Sequence, residues 1–289
     1  MATILFGKPI QEKMKERLVE RVKALSFAAS LAIIQIGNLS DSNTYVRQKK
    51  LLGEKIGVSV VHHALPKEVK IEEIKMLIQS LNNDKSVHGV ILQLPLPPSL
   101  DSSELLDTIS PRKDADALTS YHVKRLLEGN KKTLLPATAR GVLALLDAYN
   151  ISVSGKRVVV VGRSALVGKP IALALLNRDA TVTICHSKTT NLDDITKTAD
   201  IVIVAIGKPR FFTRNFFREG QVVVDVGINE APGSKLEEEI GGRMLVGDVY
   251  FEEVKGVVSA ISPTPGGVGP MTVASLFENL LDLIEANQA

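Results

Sequence analysis

The sequence predicts an α/β protein built from two α/β domains, and three observations support this fold class. Short apolar runs alternate with helical patterns along most of the 289 residues, as is typical of parallel sheets with helical crossovers. The length is about twice the roughly 150 residues of an average domain. A mixed stretch over Ser110–Gly155 separates two βα series, so we expect the domain boundary near Leu135–Gly141.

The first series has the order β-α-β-α-β. The apolar run LAIIQI predicts a strand over Leu31–Ile36. A helix follows over Ser42–Ile56, with Asp41 or Ser42 as its N-cap. The remaining elements are a strand over Val58–His62, a helix over Glu68–Leu81 and a strand over Gly89–Leu92. This order predicts a parallel sheet with right-handed crossovers.

The second series begins with a strand of nearly pure valine, Arg157–Val161, which predicts burial on both faces. The elements expected after it are a helix over Val167–Asn177, strands over Thr181–Ile184, Ile201–Ala205 and Val222–Val226, a short helix over Leu192–Thr198 and a closing helix over Met271–Ala286. The polar, turn-rich stretch Asn229–Gly242 predicts an exposed loop.

Charge and composition exclude several classes of protein. The net charge is only +3, from 35 basic and 32 acidic residues, so we expect no strong attraction to nucleic acid or to anionic membranes. A single cysteine, Cys185, excludes an intrachain disulfide and a multi-cysteine metal site. Met1–Ile10 lacks the pattern of a secretory signal, and no window approaches 18 uninterrupted apolar residues. We therefore expect a cytoplasmic protein without a metal.

A strand-to-helix junction at Val158–Pro170 (VVVVGRSALVGKP) is a candidate nucleotide site. Such a junction presents backbone N–H groups and the positive end of a helix dipole to an anion. Gly162 permits a tight turn and Gly168 a close backbone approach. The spacing of these glycines differs from the G-x-G-x-x-G fingerprint, so a βα turn that binds nothing remains an alternative.

The next strand, TVTIC, indicates which dinucleotide would bind. It ends in His186-Ser187-Lys188, without the acidic residue that accepts a ribose 2′-hydroxyl and repels a 2′-phosphate. Together with Arg163, this cationic and hydroxyl-bearing end favours NADP over NAD. The alternative is that Lys188 and Arg163 are solvated surface charges. We expect Cys185 to be a packing residue.

Five residues in or just after the first series are candidates for chemistry, each with a plainer alternative. Tyr45 and Lys49 are four residues apart and share one helix face, as an ordinary surface pair also would. Gln93 stands at a strand end, where open α/β sheets place ligands, although its amide could be satisfied by the backbone. Asp114 and Asp116 lie in the turn-like PRKDADAL, where solvated carboxylates are the default expectation.

A Pro/Gly loop, SPTPGGVGPM, precedes the closing helix at Ser262–Met271. Pro270 suits the first turn of that helix. The glycines could let the backbone approach a flat ligand, or they could simply form a tight connection.

These residues resemble those of the bifunctional methylenetetrahydrofolate dehydrogenase/cyclohydrolase family. The matching pieces occur in the family's order over nearly the full length: DSNTYVRQKK (Asp41–Lys50), GVILQLPLP (Gly89–Pro97), KDAD (Lys113–Asp116), VVVGRSALVGKP (Val159–Pro170), CHSKT (Cys185–Thr189), VGDV (Val246–Val249) and PTPGGVGPMT (Pro263–Thr272). The ordered set makes the resemblance specific.

The resemblance implies two domains and two reactions. A catalytic folate-binding domain would comprise residues 1–138 plus 268–289, the last helix returning to it. Residues 139–267 would form an NADP-binding domain with a Rossmann-type parallel sheet. The implied reactions of one-carbon metabolism are NADP-dependent oxidation of 5,10-methylenetetrahydrofolate to the methenyl cation and hydrolysis of that cation to 10-formyltetrahydrofolate. Members of the family usually form homodimers.

Site residues follow from the resemblance position by position. Lys49 matches the essential lysine, Tyr45 the aromatic ring that stacks on the folate, Gln93 the glutamine that contacts the lysine, and Asp116 the aspartate that binds the pterin. Further substrate contacts would be Leu92, Leu94, Pro265, Gly266, Gly267, Val268, Gly269, Pro270, Met271, Thr272 and Val273. Cofactor contacts would be Gly162, Arg163, Ser164, Ser187 and Ile228. A cationic product disfavours a protonated neighbour, so neutral Lys49 could act as a general base.

The chain departs from the family pattern in two places. Ala117 replaces a usual glycine, which would cost about 1 kcal/mol if the position needs φ > 0. Ala137 and Ala139 replace a cysteine and a proline, and we expect this change to loosen a loop near the substrate. A dehydrogenase with weak cyclohydrolase activity is one alternative function. A non-catalytic NADP-binding sensor is another, although the joint presence of Tyr45, Lys49, Gln93 and Asp116 argues against it.

Overall fold

The computed structural model describes residues 2–38, 40–232 and 243–288. The chain divides into two compact units. The Glu12 unit comprises Glu12–Ala137 and Val273–Ala289, and the Thr138 unit comprises Met1–Gln11 and Thr138–Thr272. None of the helices in the described ranges combines the length and the apolar character that crossing a bilayer requires.

Helices and strands alternate along both units. The strands are β1 (Thr3–Ile4), β2 (Ser30–Ile36), β3 (Ser59–Leu65), β4 (Gly89–Gln93), β5 (Arg157–Val161), β6 (Thr181–Cys185), β7 (Ile201–Val204), β8 (Val222–Asp225), β9 (Asn229–Pro232), β10 (Arg243–Val246) and β11 (Ala260–Ile261). The helices are α1 (Lys8–Lys23), α2 (Ser40–Ile56), α3 (Ile71–Asn83), α4 (Ser102–Thr108), α5 (Ser120–Leu127), α6 (Ala137–Ala148), α7 (Gly168–Leu176), α8 (Leu192–Thr198), α9 (Phe251–Val254) and α10 (Val268–Gln288).

The Glu12 unit contains a parallel sheet in the order β3-β2-β4. All five residues of β4 and six of the seven in β2 are buried, because helices of a parallel sheet cover both of its faces. The register pairs Gln35 of β2 with Gln93 of β4. Two glutamines therefore lie side by side at the carboxyl edge of the sheet, the edge at which open α/β sheets bind ligands.

The Thr138 unit contains a six-stranded parallel sheet in the order β1-β11-β8-β7-β5-β6. From β5, the chain continues to β6 on one side and then to β7 on the other. The order of the strands thus reverses beside β5, and such a switch point opens a crevice at the carboxyl ends of the strands.

The compact units divide the chain differently from the predicted domains at the N-terminus. Residues 1–11 belong to the Thr138 unit, not to the unit that contains Lys49. The reason is a pairing that sequence patterns do not reveal: β1 is only two residues long and joins β11, with Thr3 opposite Ala260. The C-terminal division falls within α10, between Thr272 and Val273.

Three predicted elements need correction. The predicted N-cap at Asp41 or Ser42 is wrong, because α2 already begins at Ser40. Four residues of the predicted loop Asn229–Gly242 form β9, which pairs in antiparallel fashion with β10; residues 233–242 lie outside the described residues. The closing helix extends beyond Met271–Ala286 at both ends, and Pro270 lies in its first turn.

Candidate functional site

A buried lysine at the carboxyl edge of the β3-β2-β4 sheet forms the centre of the first site. The Nζ atom of Lys49 lies 3.0 Å from Oε1 of Gln93, and Lys49 is only 6 % exposed. Nε2 of Gln93 donates to the carbonyl oxygen of Leu94 at 2.9 Å. Because this bond fixes the amide, its oxygen is presented to the lysine. Both interpretations of Gln93 are therefore right: its amide bonds the backbone and also contacts Lys49.

Burial alters the protonation of this lysine. Burial lowers the pKa of Lys49, while the charge of Asp116 opposes that shift. Burial raises the pKa of Asp116, and the positive charge of Lys49 counteracts the rise. Gln93 adds a hydrogen-bond acceptor without adding a negative charge. The amine of Lys49 is thus closer to its neutral form than that of a solvated lysine.

Tyr45 lies one helical turn before Lys49 on α2 and is half-buried. Residues four apart project from the same side of a helix, so the phenol ring and the lysine lie on one face of α2. The structure thus brings Tyr45, Lys49 and Gln93 to one edge of the sheet.

The two aspartates of PRKDADAL differ in their surroundings. The expectation that Asp114 is a solvated turn carboxylate is wrong, because it is buried and its Oδ2 accepts a 2.8 Å hydrogen bond from the Thr119 N–H. Burial raises its pKa. Asp116 is partly exposed, and its carbonyl oxygen accepts from the Ala137 N–H at 3.3 Å. Asp114 therefore shapes the segment, whereas the carboxylate of Asp116 interacts electrostatically with Lys49.

Alanines occupy the three positions at which this sequence departs from the family pattern that it resembles. Ala117 is buried and has φ = +55°, so this position does require the left-handed conformation. The expected loose loop at Ala137 and Ala139 is wrong, because α6 begins at Ala137 and both side chains are buried. Small apolar side chains fit this packed first turn of the helix.

Sequence reasoning missed Asn279, which fixes the same segment. Its Nδ2 donates to the carbonyl oxygens of Ala115 at 3.0 Å and of Leu135 at 2.9 Å. Asn279 is fully buried in α10, where a buried polar group needs partners. The available signal was an amide within the apolar stripe LFENLLDLI.

The Pro/Gly loop before α10 is tied to the N-terminal segment within the Thr138 unit. Nε2 of Gln11 donates to the carbonyl oxygen of Pro270 at 2.9 Å, and the Gly7 N–H donates to that of Gly266 at 2.8 Å. Pro265 is exposed, whereas Gly266, Gly269, Pro270 and Thr272 are half-buried. Among the other predicted substrate contacts, Leu92, Gly267, Val268, Met271 and Val273 are buried, and Leu94 is half-buried. The side chains of Leu92, Val268, Met271 and Val273 pack in the core.

A second candidate site is a pocket of about 490 Å³ at the carboxyl ends of β5, β6 and β7. Its lining comprises Val161, Gly162, Arg163, Ser164, His186, Ser187, Thr189, Leu192, Ala205, Ile206, Lys208, Phe211, Phe212 and Phe216. Four of the five predicted cofactor contacts lie here. The fifth, Ile228, lies outside this lining, and its Cδ1 is 3.7 Å from where a Cβ of Gly269 would be. Lys188 also lies outside it.

The two glycines of the junction serve close packing of the chain against itself. Gly162 has φ = +136°, and a Cβ there would lie 2.2 Å from the carbonyl oxygen of Ala205. A Cβ on Gly168 would lie 2.2 Å from the carbonyl oxygen of Gly162. Oγ of Ser164 accepts hydrogen bonds from the N–H groups of Val167 and Gly168, at 3.1 and 3.3 Å. The close backbone approach predicted at Gly168 therefore brings the start of α7 against the end of β5.

The pocket suits a flat, anionic ligand. Its described lining contains the cations Arg163 and Lys208 and no carboxylate. Phe211, Phe212 and Phe216 form an aromatic cluster with ring centroids 4.8–5.8 Å apart. The volume is within the usual range for cofactor sites. These rings were missed in the sequence, although four of the eight phenylalanines lie within Phe211–Phe217.

Metal ligands are not grouped in the part of the chain that the structure describes. Within residues 2–38, 40–232 and 243–288, no three His, Cys, Asp or Glu side chains are arranged to hold a metal ion. Cys185, at the end of β6, is a buried free thiol. Burial raises its pKa, which makes the thiol less prone to ionise.

Two family models match the chain. Residues 5–116 match the catalytic domain of tetrahydrofolate dehydrogenase/cyclohydrolase, and residues 136–288 match its NAD(P)-binding domain. A curated relative, bifunctional protein FolD 2 of Geobacter sulfurreducens, is 44% identical over 285 residues, covering 98% of this chain and 96% of the relative.

Crystal structures of similar proteins share the fold over the full length. The bifunctional FolD methylenetetrahydrofolate dehydrogenase/cyclohydrolase of Campylobacter jejuni matches with a TM-score of 0.91 and 39% identity, covering 99% of this chain and 100% of that chain. The Trypanosoma brucei methylenetetrahydrofolate dehydrogenase-cyclohydrolase, in complex with NADP and an inhibitor, matches with a TM-score of 0.94 and 34% identity, covering 99% and 98%.

Proposed function

Because the chain belongs to the tetrahydrofolate dehydrogenase/cyclohydrolase family, we propose that it catalyses two successive steps of one-carbon metabolism. The first is oxidation of 5,10-methylenetetrahydrofolate to the methenyl cation with NADP. The second is hydrolysis of that cation to 10-formyltetrahydrofolate. NADP, when bound, accepts a hydride from the bridging methylene carbon. The Glu12 unit would bind the folate and the Thr138 unit the cofactor.

The observation that carries this proposal is the buried contact between Lys49 and Gln93. Hydrolysis needs a base that takes a proton from water as the oxygen attacks the methenyl carbon. Lys49 has a lowered pKa through burial, and a cationic substrate would favour its neutral form further. Its amine can therefore accept the proton. The ammonium formed can then protonate the folate nitrogen as the carbon–nitrogen bond breaks, while the hydroxyl on that carbon releases its proton to water and becomes the formyl carbonyl.

Gln93, Asp116 and Tyr45 have different roles around the lysine: Gln93 contacts the lysine, and the other two contact the pterin. Gln93 holds Nζ by a neutral oxygen, so the lysine is oriented without being pushed toward its charged form. Asp116 offers a carboxylate that can accept hydrogen bonds from pterin N–H groups. Tyr45 offers a ring on the same helix face as Lys49, against which a flat pterin can stack. These three roles follow from the family resemblance and from residue chemistry.

Replacing Lys49 by methionine tests the proposal. Lys49→Met should reduce cyclohydrolase turnover at least about 1000-fold, because no other described amine lies on Gln93. The affinity for NADP should stay within about twofold of the wild type. The formation of methenyltetrahydrofolate and its decay are followed separately by absorbance, with NAD as the cofactor control.

The neighbouring lysine provides the matched control. Lys50 is exposed, and its Nζ lies 3.1 Å from Nδ1 of His62, so Lys50→Met should leave both activities within about twofold. Retained decay of the methenyl compound in Lys49→Met would contradict the role of the lysine. So would an equal loss of turnover and of NADP affinity.

A homodimer in the cytoplasm completes the proposal. Family members usually form homodimers, and β6, at one edge of the six-stranded sheet, exposes 42 % of Ile184. An exposed apolar edge strand is a ready surface for pairing. Sedimentation velocity should give about twice the 31.2 kDa of one chain, and a single species of one chain's mass would contradict it.

The free thiol of Cys185 suits a reducing compartment.

A further inference from the structure

We propose that Lys208 binds a phosphate group of the cofactor and that Asp248 holds its loop in place; this inference rests on the proposed use of NADP. Lys208 follows β7 by four residues and lines the same pocket as Arg163. Each residue follows the carboxyl end of a strand, and β5 and β7 are direct neighbours. Two cations therefore meet at the switch point of the sheet.

The charge balance of the pocket leaves both cations available to a ligand. In the part of the chain that the structure describes, neither Arg163 nor Lys208 forms an ion pair with a carboxylate. The ammonium of Lys208 lies 5.4 Å from the ring centroid of Phe211. An aromatic face steadies a cation without neutralising it. The charge of Lys208 is thus presented at a wall of the pocket.

Asp248 fixes the backbone from which Lys208 projects. The carboxylate of this fully buried residue accepts from three consecutive N–H groups, those of Ile206, Gly207 and Lys208, at 2.6, 3.0 and 2.8 Å. Its Oδ1 also accepts from Nδ2 of Asn229 at 2.9 Å. Such a set of charge-assisted bonds is strong. The loop is therefore preorganised, and Asp248 acts as a positioning residue for Lys208.

The sequence alone favoured another lysine. Lys188 follows β6, yet it lies outside the pocket lining, whereas Lys208 is part of it. Both residues are exposed and carry the same charge. Lys188 is therefore a matched control that separates direct contact from the general effect of losing one positive charge.

The test is calorimetric binding of NADP, ADP and adenosine 2′,5′-bisphosphate to the full chain. Lys208→Gln should weaken NADP binding about 10-fold or more, whereas Lys188→Gln should change it less than twofold. Lys208→Arg should restore most of the affinity. Weaker binding of only the 2′,5′-bisphosphate would support contact with the 2′-phosphate, and equal weakening of both fragments would support contact with the phosphates at the 5′ side.

Two results overturn the inference. One is unchanged affinity of Lys208→Gln for all three ligands, and the other is an equal loss in Lys188→Gln. Either leaves the proposed function intact as long as the wild type reduces NADP with methylenetetrahydrofolate. If the wild type neither binds NADP nor reacts, the proposed function itself fails.

Asp248→Asn tests the positioning role separately. It should weaken NADP binding in the Lys208 protein but add little when combined with Lys208→Gln, because both changes act through one side chain. Additive losses in the double variant would contradict positioning through Lys208. Unfolding curves of each variant show whether it remains folded.

Discussion

Lys49 in the Glu12 unit and Lys208 in the Thr138 unit are the same type of residue in opposite surroundings. Lys49 is almost completely buried and touches a neutral amide oxygen, whereas Lys208 is exposed over an aromatic ring. Neither forms an ion pair with a described carboxylate. Burial lowers the pKa of Lys49, which suits the proposed proton transfer, whereas Lys208 is exposed to water, which suits the proposed contact with a phosphate. Solvation, more than residue type, separates a base from an anion-binding group.

The two sites also differ in how the backbone supports them. The first depends on side chains anchored to β4 and α2, and the second on a glycine junction and on the loop that Asp248 holds. Changes in the backbone should therefore damage the second site more than the first.

The largest effect is expected at the glycine junction. In Gly168→Ala the new Cβ would lie 2.2 Å from the carbonyl oxygen of Gly162, so β5 and α7 must move apart. The free energy of unfolding should fall by about 3 kcal/mol, measured by urea denaturation. Gly256→Ala is the control, since the nearest atom to its Cβ would be 3.9 Å away. Equal stability of the two variants would refute tight packing at this junction.

A negative charge introduced beside Lys49 should raise the pKa of its amine. In Gln93→Glu, an ionised carboxylate would favour the ammonium form and raise the pKa of Lys49. Cyclohydrolase turnover near pH 7 should fall about 10- to 100-fold, and the acidic limb of its pH profile should move to higher pH. Gln93→Met removes the hydrogen bond without adding charge, so it should slow turnover without that upward shift. Identical profiles for the two variants would rule out charge control.

Much of the fold was predictable because buried strands leave a local signature. The strand Arg157–Val161 and the helix Leu192–Thr198 have the predicted bounds. The strand β1 was missed because two residues carry no periodicity, and its partner Ala260 is far along the chain.

Less of the candidate site was predictable, because the residues that hold it in place are far from it in the sequence. Lys49, Gln93 and the junction residues were found from motifs, whereas Asn279 supports Ala115 across 164 positions. Burial of Asp114 was missed because a turn-rich segment gives no sign that its carboxylate will bond Thr119. Long-range pairing decides these details, and a single sequence does not display it.

Asp225 provides a test of buried charge in the Thr138 unit. Burial and the nearby Asp248 raise the pKa of Asp225 to about 7. The folded chain thus retains a proton that the unfolded chain releases near pH 4, so this group's contribution to stability is lost as the pH rises toward 7. The unfolding free energy of wild type minus that of Asp225→Asn should fall by about 1–3 kcal/mol between pH 5 and 8. A difference that does not vary with pH would show that Asp225 does not titrate in this range.

The smallest effect is expected at Ala117, near the first site. Its φ of +55° is costly for alanine, so glycine should relieve strain but also remove a buried methyl group. Ala115→Gly, at a buried neighbour whose φ is not positive, removes the methyl group without relieving strain. Ala117→Gly should be more stable than Ala115→Gly by about 1 kcal/mol in urea denaturation. Equal unfolding energies would mean that position 117 stores no strain.

The protonation of Lys49 is best measured by NMR titration of isotopically labelled lysine side chains, with Lys49→Met used to assign the resonance. We expect a midpoint clearly below the 10.5 of an ordinary lysine, while Lys50, its exposed neighbour, serves as the reference in the same spectra. A Lys49 midpoint at or above 10.5 would contradict the account of a desolvated amine that acts as the base.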